Sequence, residues 1–306
     1  MIGAGGLVLV VTIVFAVAGP PLGRRLPPAV ATRVLVSAAV AVAAATGAVL
    51  TIAAFTLIGQ IPQIADAGRW SAQVVHDADP VPPVLAVVCG LLVLPAAGRA
   101  IVLLVRRLMA FTKVQAACRD HPDAGALIVL DDDRPDAFAT PGLRARIVVT
   151  TGLIRALDSQ QQRAVLAHER SHALHRHAWW ILGADLAAAA NPLLAPTART
   201  VTHAVERWAD EDAAVEVADR RLVARAVGRT ALLLRRSTPR PGPAPSAVGG
   251  NVPDRVRALL APAPEPRLRH VALLAVLLLV IAGGSALVSE RGRELFAHAS
   301  VSRQHH

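Results

Sequence analysis

The chain has 306 residues, 54% of them hydrophobic, with a mean hydropathy of +0.47. That exceeds the apolar content of a soluble globular domain and argues for an integral membrane protein over a disordered or fibrous chain. Two cysteines cannot build a disulfide framework. The net charge is +10, and Lys113 is the only lysine. The arginines recur at the ends of apolar segments, as membrane orientation uses them. They are not gathered in one soluble patch, so direct nucleic-acid binding is not expected.

Four segments are apolar enough to span a bilayer, which takes roughly 20 helical residues. The first covers residues 2–18 and is expected to stop at Gly19-Pro20-Pro21. Positive charge follows it, at Arg24 and Arg25, and none precedes it, so it reads as a span and not as a signal peptide. The second covers residues 34–58 and the third residues 81–105, with Pro95 and Arg99 inside. The fourth covers residues 271–288. Arg24, Arg25 and Arg33 in one link, and Arg106, Arg107 and Lys113 in another, place those links in the cytoplasm; the acidic 60–80 loop then lies outside. The expected organisation is three spans in residues 1–109, a cytoplasmic domain in 110–269, a fourth span in 270–288 and a short outer tail in 289–306. The location is the cell membrane, multi-pass, with the lipid bilayer as a partner.

Within the cytoplasmic region, residues 126–130 read as a strand closed by Asp131-Asp132-Asp133-Arg134-Pro135. Ala137-Phe138-Ala139-Thr140 and the β-branched run 146–150 are two more strand candidates. Asp158 has N-cap character and opens a helix predicted to reach about His177. Residues 178–196 contain Asp185 and Asn191-Pro192 and read as a buried or membrane-skirting helix, not a fifth span. Trp179 and Trp180 read as interfacial anchors. The proline-rich run after Arg236 reads as a loop, and residues 254–260 as a short helix.

The chemistry lies in His168-Glu169-Arg170-Ser171-His172. Residues four apart share a helix face, so His168 and His172 can direct two imidazole nitrogens at one metal ion. Glu169, beside them, is placed to act as general base. A zinc site of this kind needs a third protein ligand. The pattern with a third histidine six residues on fails, because position 178 is Ala178. Glu206 on a later helix is the best choice, with Asp210 one turn on to accept a hydrogen bond from a ligand histidine. His175 and His203 are weaker candidates. The expected cofactor is one zinc ion per chain.

Taken together, Ala137-Phe138-Ala139, the run 147–153, the His168-Glu169-x-x-His172 helix and Glu206-x-x-Ala209-Asp210 resemble the integral-membrane gluzincin peptidases, which include the heat-shock and CAAX-prenyl-type proteases. The layout, with Asn191-Pro192-Leu193, is most similar to the β-lactam sensor-transducer branch. That resemblance implies a mainly α membrane protein: four transmembrane helices with an inserted α+β, zincin-like cytoplasmic peptidase domain. By position it implies zinc on His168, His172 and Glu206, base catalysis by Glu169, support from Asp210, and an edge strand at Ala137, Phe138 and Ala139 that pairs with substrate. The expected activity is zinc endopeptidase cleavage of a cytoplasmic or membrane-proximal protein, with a transcriptional repressor as one candidate substrate. The sequence ends at His306, so the branch's outer sensor is expected to be absent and a separate sensor or repressor protein becomes an expected partner. The competing expectation is a non-catalytic membrane signalling scaffold that keeps the fold.

Overall fold

The computed structural model describes residues 2–68, 81–119, 127–142, 145–236 and 251–263, with Gly283 and Glu290 as single positions. Apart from Gly283, the expected fourth span lies outside the described residues, as does most of the 289–306 tail.

Three helices among the described residues are long and apolar enough to cross a membrane. The first, α1 (Ile2–Gly23), does not stop at the predicted Gly19-Pro20-Pro21 but carries both prolines within it. Proline lacks an N–H but keeps its carbonyl, and the Pro20 carbonyl accepts from Arg24 N at 3.2 Å, which closes one more turn. Next, α2 (Pro28–Ile58) begins with Pro28 at its first helical position, six residues before the apolar run. Its 31 residues span about 46 Å, more than the roughly 30 Å of a hydrocarbon core. After the short α3 (Pro62–Gly68) comes α4 (Pro83–Arg119), with 37 residues. It is predicted to end near Val105. No glycine or proline lies between Arg99 and Arg119 to stop it, so it runs on unbroken.

All three predicted strands are present. β1 (Leu127–Leu130), β2 (Ala137–Ala139) and β3 (Ile147–Thr150) form one sheet in the order β1-β3-β2. β1 runs parallel to β3 and β2 antiparallel to it, with Phe138 opposite Val148. β2 is therefore an edge strand. Thr150 caps α5 (Thr151–Ala156) by accepting from Leu153 N. Gly152 is required there, because a Cβ would lie 2.1 Å from the Asp133 carbonyl oxygen.

α6 (Ser159–Leu174) starts where predicted, with the Asp158 side chain accepting from Gln161 N at 2.8 Å. It ends earlier than expected. Arg176 takes a left-handed conformation, φ 52°, and the chain turns before α7 (His177–Ala190). α7 is the alanine-rich segment, and it is built into the bundle. Arg107 on α4 pairs with Asp185 at 2.8 Å, and Arg99 Nε donates to the Ala189 carbonyl at 3.1 Å. Asn191 caps a single 3₁₀ turn, Pro192–Leu194, before α8 (Ala195–Val217), α9 (Arg220–Arg236) and α10 (Val252–Leu260).

Two apolar clusters meet on α8. One joins Phe15, Leu35 and Val42 of the membrane helices to Ile181, Leu194, Val201 and Val205. The other joins Ala164 and Ala167 of α6 to Ala213, Val223 and Leu259. The helix that carries Glu206 is thereby clamped between the spans and the motif helix.

Candidate metal centre

α6 and α8 bring the predicted ligands together. His168 Nε2 and His172 Nε2 lie 3.1 Å apart. Each is 3.7 Å from an oxygen of Glu206. One ligand atom from each of the three residues falls within 4.8 Å of the others. Four ligands at the usual zinc distances form a tetrahedron with edges of about 3.3 Å. The two imidazoles and the carboxylate therefore fit a tetrahedral zinc ion in chemistry and in spacing. His175 lies elsewhere, with Nε2 3.0 Å from Asp212 Oδ2 near the surface. His203 lines a separate crevice with Arg24 and Arg199. Neither belongs to the cluster.

Behind the ligands lies a buried polar layer. His168 Nδ1 is 3.0 Å from Asp210 Oδ1, the placement expected from the one-turn spacing of Glu206 and Asp210. Two further residues were not anticipated. Arg255, from α10, donates through Nε and Nη2 to the two Asp210 oxygens, each at 2.7 Å, and its Nη1 lies 2.9 Å from Glu206 Oε2. It is only 2% exposed. The sequence signal was available: Arg255 and Leu259, four apart, form the inward face of a short amphipathic helix. His177 is fully buried, and its Nδ1 lies 3.0 Å from His172 Nδ1.

These contacts set the charges. Burial pushes the Glu169 carboxyl up, and Glu206 and Asp136 add to this; His168 and the Ala139 N–H pull against it, leaving Glu169 at about 7. A base in that range suits proton transfer at neutral pH. Burial lowers the pKa of His168, but Asp210 more than offsets this and the net shift is upward. His172 is held well below the usual histidine range, first by burial and then by His168 and His177, and it is neutral as a ligand must be. Burial raises Asp210, yet Arg255 and His168 outweigh it and hold the carboxyl at about 2. Burial also raises Glu206, against the pull of Arg255.

The cluster opens on a cleft. Ala137, Phe138 and Ala139 line it together with Phe111 and Val114 from α4 and Trp179 from α7. Thr150 N donates to the Asp136 carbonyl and Thr140 N to the Arg146 carbonyl, so the even-numbered residues face β3. Ala137 and Ala139 therefore turn their backbone groups to the outer edge, where no strand among the described residues pairs with them. The Ala139 N–H reaches the Glu169 carboxylate. Trp179, expected to be a membrane anchor, packs edge-on against Phe111 with ring centres 5.7 Å apart. It is part of the cleft wall.

A helical His-Glu-x-x-His pair meets a glutamate from a second helix, beside an open sheet edge and on a scaffold of helices apolar enough to span a membrane; this is the arrangement that a membrane zinc peptidase would need. The comparisons with known proteins agree. Residues 103–275 match the model of Peptidase family M48, and the chain belongs to that family. A protein named Protease HtpX homolog in Acidiphilium cryptum (strain JF-5) is 52% identical over 50 residues, 16% of this chain and 17% of the relative. The protein of that name in Burkholderia mallei (strain SAVP1) is 40% identical over 64 residues, 20% of this chain and 22% of the relative. The one in Paraburkholderia phytofirmans is 42% identical over 50 residues, 16% and 18% respectively. The chain thus aligns with about a fifth of the length of these curated relatives. No solved structure matches it.

Proposed function

We propose that the chain is a membrane-anchored zinc endopeptidase whose cleft takes an extended segment of a cytoplasmic or membrane-proximal protein. The observation that carries this reading is the convergence of His168, His172 and Glu206 beside Glu169 and the open edge of β2. Zinc held by those three side chains would supply Lewis acidity toward the scissile carbonyl and lower the pKa of the attacking water. The chain's own groups do the rest. The backbone of Ala137 and Ala139 would add the substrate as a further strand and fix its register. Glu169 would take the proton from water and deliver it to the leaving amine. Asp210 would hold the proton of His168 on Nδ1, leaving Nε2 free to ligate, and Arg255 would keep Asp210 and Glu206 charged and in place.

The same reading places the arginine-rich ends of the spans and the cleft in the cytoplasm, with residues 271–288 as a fourth span. The sequence resemblance to the sensor-transducer branch makes a transcriptional repressor one candidate substrate, with the signal supplied by a separate sensor protein. The test uses the purified full chain in lipid, loaded with zinc and given an unfolded protein substrate. Glu169→Gln should retain zinc and lose cleavage by about 10²–10⁴-fold, the usual contribution of a general base. Stoichiometric zinc with no cleavage that depends on Glu169 would favour the non-catalytic scaffold instead.

A further inference from the structure

We infer that His177 is a positioning residue for the metal centre: it accepts the proton of His172 and so fixes which nitrogen of His172 faces the cation. The inference rests on the zinc reading above. His172 Nε2 is the nitrogen on the ligand side, 3.1 Å from His168 Nε2 and 3.7 Å from Glu206 Oε1. It can offer a lone pair there only if its proton sits on Nδ1. The neighbour of that atom is His177 Nδ1, 3.0 Å away. Two neutral imidazole nitrogens at this distance share one proton. His172 is therefore the donor, His177 Nδ1 the acceptor, and the proton of His177 sits on Nε2.

That assignment leaves a cost in view. His177 Nε2 is buried and has no hydrogen-bond partner among the described residues. An unpaired buried donor is destabilising, since it gives up its bond to water without a replacement. The opposite tautomer pair would turn the His172 Nε2 proton into the cluster and remove a ligand. Only the arrangement with the unpaired Nε2 proton is compatible with the metal.

The surroundings hold His177 to this task. It is the first residue of α7, set there by the left-handed turn at Arg176. Its ring stands at 88° to that of His172, with centres 4.7 Å apart. The indole of Trp208, two residues beyond Glu206 on α8, backs it at 4.7 Å. The two ligand histidines thus have different supports. His168 faces the anionic Asp210, and His172 faces a neutral ring. A fourth anion here would join Glu169, Glu206 and Asp210 in a buried volume where Arg255 pairs with Glu206 and Asp210.

The test compares the full-length wild-type chain with His177→Asn, His177→Phe and His177→Leu in detergent. Asparagine Oδ1 overlays the accepting nitrogen, whereas phenylalanine and leucine fill space without accepting. Zinc affinity is read by competition with a chelator, and ligand geometry by the visible spectrum of the cobalt(II) form. His177→Phe, or His177→Leu if the phenylalanine variant does not fold, should bind zinc about 10–100-fold more weakly and shift the cobalt bands. His177→Asn should stay within a few-fold of wild type with an unchanged spectrum. An apolar variant that binds zinc as tightly as wild type overturns the inference. So does equal weakening by asparagine and the apolar residues, which would make the role one of packing alone. A wild-type chain that binds no zinc would instead bring down the zinc reading on which the inference stands.

Discussion

Glu169, Glu206, Asp210 and Arg255 are each at most 5% exposed and form one buried cluster. Replacing Arg255 with leucine would leave the carboxylates of Asp210 and Glu206 buried without their guanidinium. The expected loss is about 3–5 kcal/mol of stability, read as a fall in melting temperature of the metal-free chain. Adding Asp210→Asn to Arg255→Leu should recover part of it, because the two residues act as a unit. Glu169 makes a pH prediction. Its folded carboxyl titrates at about 7 against an ordinary value near 4.5, so the folded chain holds the proton more tightly. Below pH 4.5 both states are protonated and Glu169 has no effect. Between pH 4.5 and 7 the unfolded chain gives up its proton first, and the fold loses on the order of 3 kcal/mol by pH 8. His172 and His177, both lowered, act the other way, since they oppose the fold as pH falls below the ordinary histidine value. Comparison with the variant isolates the carboxyl: the metal-free Glu169→Gln chain should gain stability over wild type, and the gain should widen from pH 5 to pH 8. At this scale the sequence was most legible where spacing is local. The four-residue interval places His168 and His172 on one face, and Glu206 and Asp210 on another. The inward face of the helix that carries Arg255 was legible, but the contacts of Arg255 and His177 were not, because only the fold brings them to Asp210 and His172.

Helix ends show what local reading resolves and what it misses. The Asp158 cap of α6 follows from a side chain that bonds to nearby backbone, and β3 follows from its β-branched run. The ends that differ from expectation have no such marker. Arg176 turns left-handed without glycine, and α1 continues through two prolines. Ala218 ends α8 in the same way, at φ 55° with its side chain exposed. The left-handed region costs an L-residue roughly 1–2 kcal/mol, a penalty glycine escapes. Ala218→Gly should therefore raise stability by up to about 1 kcal/mol, with zinc binding unchanged, as measured by thermal unfolding.

On the scale of the molecule, the expected separation of spans from peptidase is the point at which sequence reading is weakest. Hydropathy identifies a span but not what it packs against. α1 and α2 share an apolar cluster with α7 and α8, and α4 crosses positions 109 and 110 without a break. A fragment of residues 110–269 would expose Leu194, Val201 and Val205, which are buried against the spans. It should aggregate or fail to hold zinc when expressed alone, whereas the full chain in detergent should hold one ion; a soluble, zinc-loaded fragment would contradict this packing. The α4 rod has a mechanical consequence. From Arg99 to Phe111 it rises about 18 Å, so a pivot of about 5° at Arg99 swings the Phe111 ring by roughly 1.5 Å relative to Trp179. A mismatch with the bilayer loads the inclination of such a rod, and the Arg107–Asp185 pair and the Arg99 bond to the Ala189 carbonyl are the braces that hold the cleft against it.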